Sequence, residues 1–100
     1  MRVRFEPSAL ADYDELFEWI ADHASVATAR RYGERLRRYC ESFVLFPHRG
    51  LLRDDIRPGL RLIAFERRIT IAFAVVGDEV VILRLFYGGR DLESILTEGD

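Results

Sequence analysis

Two apolar runs separated by a Gly-Asp pair constrain the fold of this chain most strongly. Residues 69–76 read ITIAFAVV and residues 79–86 read EVVILRLF, with Gly77 and Asp78 between them. Residues of these types favour strands, and a two-residue Gly-Asp link is typical of a tight hairpin turn. A third run, LRLIAF at 60–65, precedes them through the charged turn ERR. The pattern therefore predicts a three-stranded antiparallel meander, whose apolar face needs a covering layer.

The amino-terminal half supplies that layer as two helices. Apolar residues recur at three- and four-residue steps from about 8 to 23 and from about 26 to 45, which is the spacing of amphipathic helices. Ser25 is placed to cap the second helix, and Pro47 ends it. RVRF at 2–5 alternates like a short strand, which joins the edge of the sheet or lies between its other strands. The predicted order is β-α-α-β-β-β, an α+β fold with a helical hairpin packed on one face of a small antiparallel sheet.

Length and composition limit the chain to one domain, which we assign to residues 1–100. The apolar run at 71–76 is far too short to cross a bilayer, and residues 1–15 have no apolar h-region, so we expect no secretory signal. The single Cys40 cannot form an internal disulfide, which favours a reducing compartment. A free cysteine on a helix is usually a packing residue, so we expect a cytoplasmic protein in which Cys40 is no nucleophile.

The charges are strongly segregated along the chain. Residues 5–29 contain six acids and no arginine, residues 30–68 contain eleven arginines against five acids, and residues 91–100 contain four acids and no base. Such a basic zone either meets an anionic partner or forms a solvated helix face with salt bridges between segments. All fifteen basic residues are arginine, which excludes Schiff-base and lysine general-base chemistry.

Three segments in this order resemble the RelE/ParE toxin superfamily. ALADYDELFEWIADHASVATARRY is similar to its first helical hairpin, LFPHRGLLRDDIRPGLRLI to the junction of the ParE branch, and VVILRLFYGGRDL to its last strand and arginine-bearing exit. The resemblance covers residues 3–96. It implies a toxin of a type II toxin–antitoxin system, which either cuts mRNA on the ribosome, as RelE-like members do, or inhibits DNA gyrase, as ParE-like members do.

The RelE-like catalytic pattern is largely lost when it is carried onto this sequence. Its two basic positions on the second strand of the fold fall on Arg61 and Ile63, and its third-strand arginine falls on Thr70. The arginine after the last strand falls on Arg90, and the carboxyl-terminal tyrosine falls on Leu96. The retained guanidinium groups cannot act as a base, because arginine does not deprotonate in proteins. The pattern therefore disfavours ribonuclease activity, and no metal or cofactor motif is present.

Two arginines and a tyrosine at the end of the chain are candidates for contact with a target or partner, together with Arg61. Arg84 alternates with Ile82 and Phe86, so its guanidinium must reach solvent or pair with an acid, either Glu66 or an acid of the first helix. Arg90 follows two glycines that let the backbone turn sharply, which suits a recognition residue. Tyr87 either closes the edge of the core or serves as an acid or base.

The side-chain pattern of the third strand, at 69–76, predicts a groove that binds the antitoxin. Ile69, Ile71, Phe73 and Val75 form a large-residue face that should cover the helical hairpin. The opposite face carries small residues, and we expect it to be an open, apolar groove that receives an antitoxin segment. The groove residues are Thr70, Ala72 and Ala74, flanked by Ile63 and Phe65.

These observations and the resemblance together predict a ParE-like toxin that inhibits DNA gyrase without catalysis. A ParD-like antitoxin would neutralise it in a hetero-oligomer, and neither a membrane nor sequence-specific nucleic-acid binding is expected. Two alternatives stay open: a RelE-like ribosome-dependent mRNA endonuclease with rearranged groups, and a degenerate toxin that only binds its antitoxin.

Overall fold

The structure, a computed structural model, describes residues 1–87. Its elements are β1 (Arg2–Phe5), α1 (Pro7–His23), α2 (Val26–Glu41), β2 (Leu51–Leu52), β3 (Arg61–Phe65), β4 (Ile69–Val76) and β5 (Glu79–Tyr87). A 3₁₀ turn over Ser42–Val44 continues α2. Neither helix of this part of the chain is long and apolar enough to cross a membrane.

The strands form one sheet in the order β1-β5-β4-β3-β2. β3, β4 and β5 are the predicted antiparallel meander, and β1 joins its edge, so the α+β class and the helical hairpin on one face are confirmed. The sheet is mixed, because β1 pairs with β5 in parallel. The helical hairpin between β1 and the meander provides the long connection that a parallel pair requires. The sequence pattern missed β2, which pairs with β3 through only two residues.

The main core lies between the helices and one face of the sheet. Phe65 packs edge-on against Tyr32, with ring centroids 5.7 Å apart, and Phe43 lies 4.6 Å from Phe73. The predicted cap of α2 is confirmed, because the Ser25 hydroxyl accepts a hydrogen bond from the Thr28 amide at 3.0 Å. Ile69, Ile71 and Phe73 all belong to this core, so the large-residue face of β4 does cover the helices.

A β-bulge in β5 changes which side chains of this strand share a face of the sheet. Phe73 pairs with Ile82 but Ala72 pairs with Arg84, so Leu83 is the extra residue on β5. Ile82 therefore points to the main core, whereas Phe86 points to the opposite face. The prediction that Arg84 shares one face of the strand with both Ile82 and Phe86 is wrong, because the extra residue places Ile82 and Phe86 on opposite faces of the sheet.

The prediction of an open groove is wrong at its central residue, Ala72. Ala72 is fully buried, with 0% exposure, in a second cluster with Leu60 and Phe86 on the face away from the helices. This cluster also packs against Ile56 and Leu62. The loop before β3 fills this part of the outer face, because it carries its own apolar side chains back onto the small residues of β4.

The prediction that Ile63 and Phe65 flank the groove is also wrong. Ile63 pairs with Ile71 and Phe65 pairs with Ile69, and residues directly opposite each other in an antiparallel pair share a face. Ile63 and Phe65 therefore lie on the helix-covered side, where both contact the main core. The register set by the turn between β3 and β4 decides this, and a shift of one residue would reverse it.

Cys40 lies inside the main core with 0% exposure. Burial raises the pKa of its thiol to about 12, and the neighbouring Glu41 carboxylate adds to the shift. Since the thiolate is the reactive form, we expect no labelling of the folded protein by an aromatic disulfide at pH 8, and one thiol labelled in denaturant. Rapid labelling of the folded protein, followed by absorbance, would contradict this packing of α2.

Candidate partner-binding surfaces

Arg84 is tied to the first helix. Its Nε and Nη2 donate to the two carboxylate oxygens of Asp12 at 2.7 and 3.1 Å. The prediction that an acid of the first helix pairs with Arg84 is confirmed, and the other candidate, Glu66, instead accepts two hydrogen bonds from Arg35. The hydrogen bond to Asp12 raises the pKa of Arg84, against the opposing effect of burial. This geometry gives Arg84 a structural role.

Asp12 also completes the edge of the sheet. β1 pairs with β5 only from Glu79 to Ile82, so the following residues of β5 have no strand on that side. The buried carboxylate of Asp12 accepts the backbone N–H of Leu85 at 2.9 Å. One side chain thus satisfies a strand amide that β1 does not reach, and it fixes α1 on the sheet.

Tyr87 lies at the last described position and lines a pocket between the helical hairpin and the ends of β4 and β5. The pocket has a volume of about 290 Å³, and we call it the aromatic pocket. Trp19 lies against Tyr87 edge-on, with centroids 5.5 Å apart, and stacks on His23 at 4.1 Å. The residues that line the aromatic pocket are Leu16, Trp19, Ile20, His23, Ala24, Thr28, Tyr32, Arg68, Ile69 and Tyr87. A place at the edge of the core was one of the two expectations for Tyr87, and no sequence pattern indicated the pocket.

Arg61 fastens the loop that precedes β2. Its Nη1 donates to the carbonyl oxygen of Arg49 at 3.3 Å. The guanidinium of Arg49 in turn lies over the rings of Tyr39 and Phe43, 5.2 and 5.1 Å from their centroids. The loop is thereby held against the end of α2, and Arg61 lies at the base of that contact.

An exposed apolar surface follows α2. Leu45 and Phe46 are each 71% exposed, and Leu51 and Leu52, which form the edge strand β2, are 62% and 45% exposed. We call these four residues the apolar rim. Large apolar side chains that gather on the surface mark interaction sites more often than single ones do. The rim was not predicted from the sequence, because residues 45–52 carry neither helical nor strand periodicity.

The solvent side of α2 is basic. Arg30, Arg31, Arg35 and Arg38 line one shallow depression with Glu34 and Ala27, and we call these four arginines the arginine face. Arg37 forms ion pairs with both Glu34 and Glu41, at 2.9 and 3.0 Å. These pairs engage the two acids of α2, so the helix presents a net positive surface.

The positions that match the RelE-like catalytic pattern do not form one site in the described part of the chain. Ile63 packs against the main core, whereas Thr70 pairs with Phe86 on the opposite face of the sheet. Arg90 and Leu96 lie outside the described residues. Within residues 1–87, no three His, Cys, Asp or Glu side chains are grouped to hold a metal ion.

The chain is similar to toxins of one kind. Residues 3–92 match the family model described as ParE toxin of type II toxin-antitoxin system, parDE. The curated protein Toxin ParE3 from Caulobacter vibrioides is 29% identical over 94 residues, which cover 94% of this chain and 92% of that protein.

Two solved structures share the fold. The structure entitled "Chromosomal ParDE TA system from P. aeruginosa" matches with a TM-score of 0.77 at 22% identity, covering 89% of this chain and 97% of that one. The conserved hypothetical protein HP0894 from Helicobacter pylori matches with a TM-score of 0.52 at 17% identity, covering 87% and 93%. At these identities the matches establish the fold alone.

Proposed function

The chain belongs to the ParE toxin family of type II toxin–antitoxin systems, and from that membership we propose that it inhibits DNA gyrase by binding. A ParD-like antitoxin neutralises it in a hetero-oligomeric complex in the cytoplasm. Inhibition needs a shaped surface and no catalytic group, so the toxin is not an enzyme in this proposal.

The observation that carries this proposal is the loss of proton-transfer groups where a RelE-like nuclease needs them. Cleavage by a 2′-hydroxyl requires a base, an acid and positive charge around one phosphate. At the matching positions Ile63 is apolar and faces the core, and Thr70 lies on the other face of the sheet. Arg61 remains, but its guanidinium does not deprotonate. A binding mechanism requires none of these groups.

We assign the antitoxin contact to the apolar rim. Its four side chains are large and between 45% and 71% exposed, and a partner that covers them removes apolar surface from water. The rim also includes β2, which is the edge strand of the described sheet and has a strand neighbour only in β3, so an extended segment can add beside it. Of the groove residues predicted from the sequence, only Thr70 and Ala74 remain candidates for the antitoxin contact. Both are half-buried on the outer face of the sheet.

Of three further contacts expected from the sequence, we propose Arg90 and Tyr87 again but not Arg84. Arg90 stays a proposed recognition residue for the target and lies outside the described residues. Tyr87 is proposed as a partner contact through the aromatic pocket that it lines. Arg84 is withdrawn from the contact surface, because its guanidinium is held by Asp12.

The experiment that tests this function is induction of the toxin in cells without its antitoxin. We expect growth arrest with filamentation and a DNA-damage response, since blocked gyrase leaves broken DNA, and rescue when the antitoxin is co-expressed. Codon-dependent cleavage of mRNA on ribosomes without DNA damage would contradict the proposal and favour the nuclease alternative. Absence of any growth effect from a folded protein would favour the degenerate toxin.

A further inference from the structure

The aromatic pocket and the arginine face form one continuous surface. Thr28 lines the pocket, and its hydroxyl lies 3.4 Å from Nη2 of Arg31 in the arginine face. The guanidinium of Arg35 lies 5.0 Å from the ring centroid of Tyr32, another residue of the pocket. A ligand bound in the pocket can therefore extend along the surface to the arginines of α2.

The pocket offers an aromatic platform. Trp19 is 47% exposed although it lines the pocket, and its indole is held by His23 through a stack with an interplanar angle of 18°. Tyr87 supports the same indole edge-on. The volume of about 290 Å³ lies near the roughly 300 Å³ lower limit of ligand pockets. This space suits one flat ring stacked on the indole.

Beside the platform, positive charge repeats along the helix. Arg31, Arg35 and Arg38 follow the spacing i, i+4, i+7, which places them in a row on one side of α2. Glu66 already pairs with Arg35 in the middle of the row, so Arg31 and Arg38 are the cations that the row offers to a ligand. Arg68, at the tip between β3 and β4, adds a cation to the wall of the pocket itself. A row of cations at regular steps is matched by a ligand that carries an anion in every repeat unit.

We propose that this surface binds single-stranded nucleic acid, with one base stacked on Trp19 and the following phosphates along the arginine face. Aromatic platforms beside a basic track are how proteins hold single strands without reading their sequence. The amide side chains that read adenine are absent, because the sequence contains neither Asn nor Gln. Binding should therefore depend little on base sequence.

An acidic peptide with an aromatic residue is the competing ligand. The positions of charges in a peptide depend on its sequence, whereas a nucleic-acid backbone carries a phosphate in every nucleotide and can meet both Arg31 and Arg38. Glu18 and Asp22 flank Trp19 along α1, so the basic surface along which an anionic backbone can continue is that of α2. These features favour nucleic acid over peptide.

The inference is independent of the proposed action on gyrase, and its test uses the purified full-length toxin alone. Trp19 is the single tryptophan of the chain, so its fluorescence reports directly on the pocket. Short labelled DNA and RNA single strands, and a duplex of the same sequence, are titrated at low and moderate salt. We expect anisotropy to rise and Trp19 fluorescence to be quenched by single strands of either kind, and weaker binding of the duplex.

Two variants and one control decide the assignment. Arg31→Ala with Arg38→Ala should weaken binding and reduce the salt dependence by about one unit of slope per lost phosphate contact. Trp19→Ala should weaken single-strand binding about tenfold or more, as the loss of a stacked base does, and Trp19→Phe should recover part of it. Arg2→Ala removes a charge at the far edge of the sheet, where Arg2 pairs with Glu79, and should change binding little.

Several outcomes would overturn the proposal. These are no binding at low salt, binding without quenching of Trp19, an equal loss in Arg2→Ala and in the α2 variant, or duplex binding that ignores Trp19→Ala. Tighter binding and stronger quenching by an acidic aromatic peptide would assign the surface to a protein ligand instead. Circular dichroism melts establish that each variant is folded, and Trp19→Phe keeps the test valid if Trp19→Ala is not.

Discussion

Replacing Asp12 with alanine is expected to destabilise the protein by about 2–4 kcal/mol, a large share of the stability of a domain this small. The change removes the acceptor of two hydrogen bonds from Arg84 and one from the Leu85 amide. A buried strand N–H and a largely covered guanidinium would then lack their partner, and both groups bear a desolvation cost. Thermal and urea unfolding followed by circular dichroism measure the loss.

Two further variants test whether the carboxylate acts through both contacts. Arg84→Ala leaves Asp12 bonded to the Leu85 amide, so we expect a smaller loss of about 1–3 kcal/mol. Asp14→Ala removes an exposed acid of the same helix and should change stability by no more than about 0.5 kcal/mol. A loss in Asp12→Ala no larger than that in Asp14→Ala would contradict the structural role assigned to this ion pair.

Replacing Phe46 with glutamate is expected to weaken the antitoxin complex by about 2–4 kcal/mol, which corresponds to roughly 30- to 1000-fold in dissociation constant. Phe46 is 71% exposed in the free toxin, so the folded state should tolerate the change. In the complex the carboxylate would be desolvated against apolar partner surface without an ion-pair partner of its own. Titration calorimetry with the purified antitoxin measures the effect.

Val26→Glu is the matched control for the rim. Val26 is also an exposed apolar residue, with 50% exposure, but it begins α2, at the opposite end of that helix from the rim. We expect its affinity for the antitoxin to stay close to that of the unchanged toxin. Equal affinity of Phe46→Glu and Val26→Glu, with both variants folded, would place the antitoxin elsewhere on the toxin.

The sequence predicted those parts of the fold that local periodicity encodes. Both helices, the Ser25 cap and the three strands of the meander follow from spacing within ten or twenty residues. β2 escaped prediction because two residues carry no period, and its pairing depends on partners that lie nine and eleven residues away in the sequence. The parallel placement of β1 was left open for the same reason, since edge pairing is decided by tertiary packing.

The surfaces were harder to predict than the fold. The extra residue Leu83 reverses the faces of β5, and nothing in EVVILRLF marks a bulge. The groove failed because the register of Ile63 and Phe65 depends on the turn, in which Glu66 and Arg67 both adopt positive φ. The pairing of Arg84 with helix one was predictable in kind, because a charge inside an apolar strand requires a partner.

The most direct test of the central claim is a supercoiling assay with purified gyrase, ATP and relaxed plasmid. The account predicts that the purified toxin blocks supercoiling in proportion to its concentration, and that prior addition of the antitoxin restores it. The Phe46→Glu toxin should inhibit equally well but escape the antitoxin. Unaffected supercoiling by folded toxin, together with cleavage of mRNA on purified ribosomes, would contradict the account.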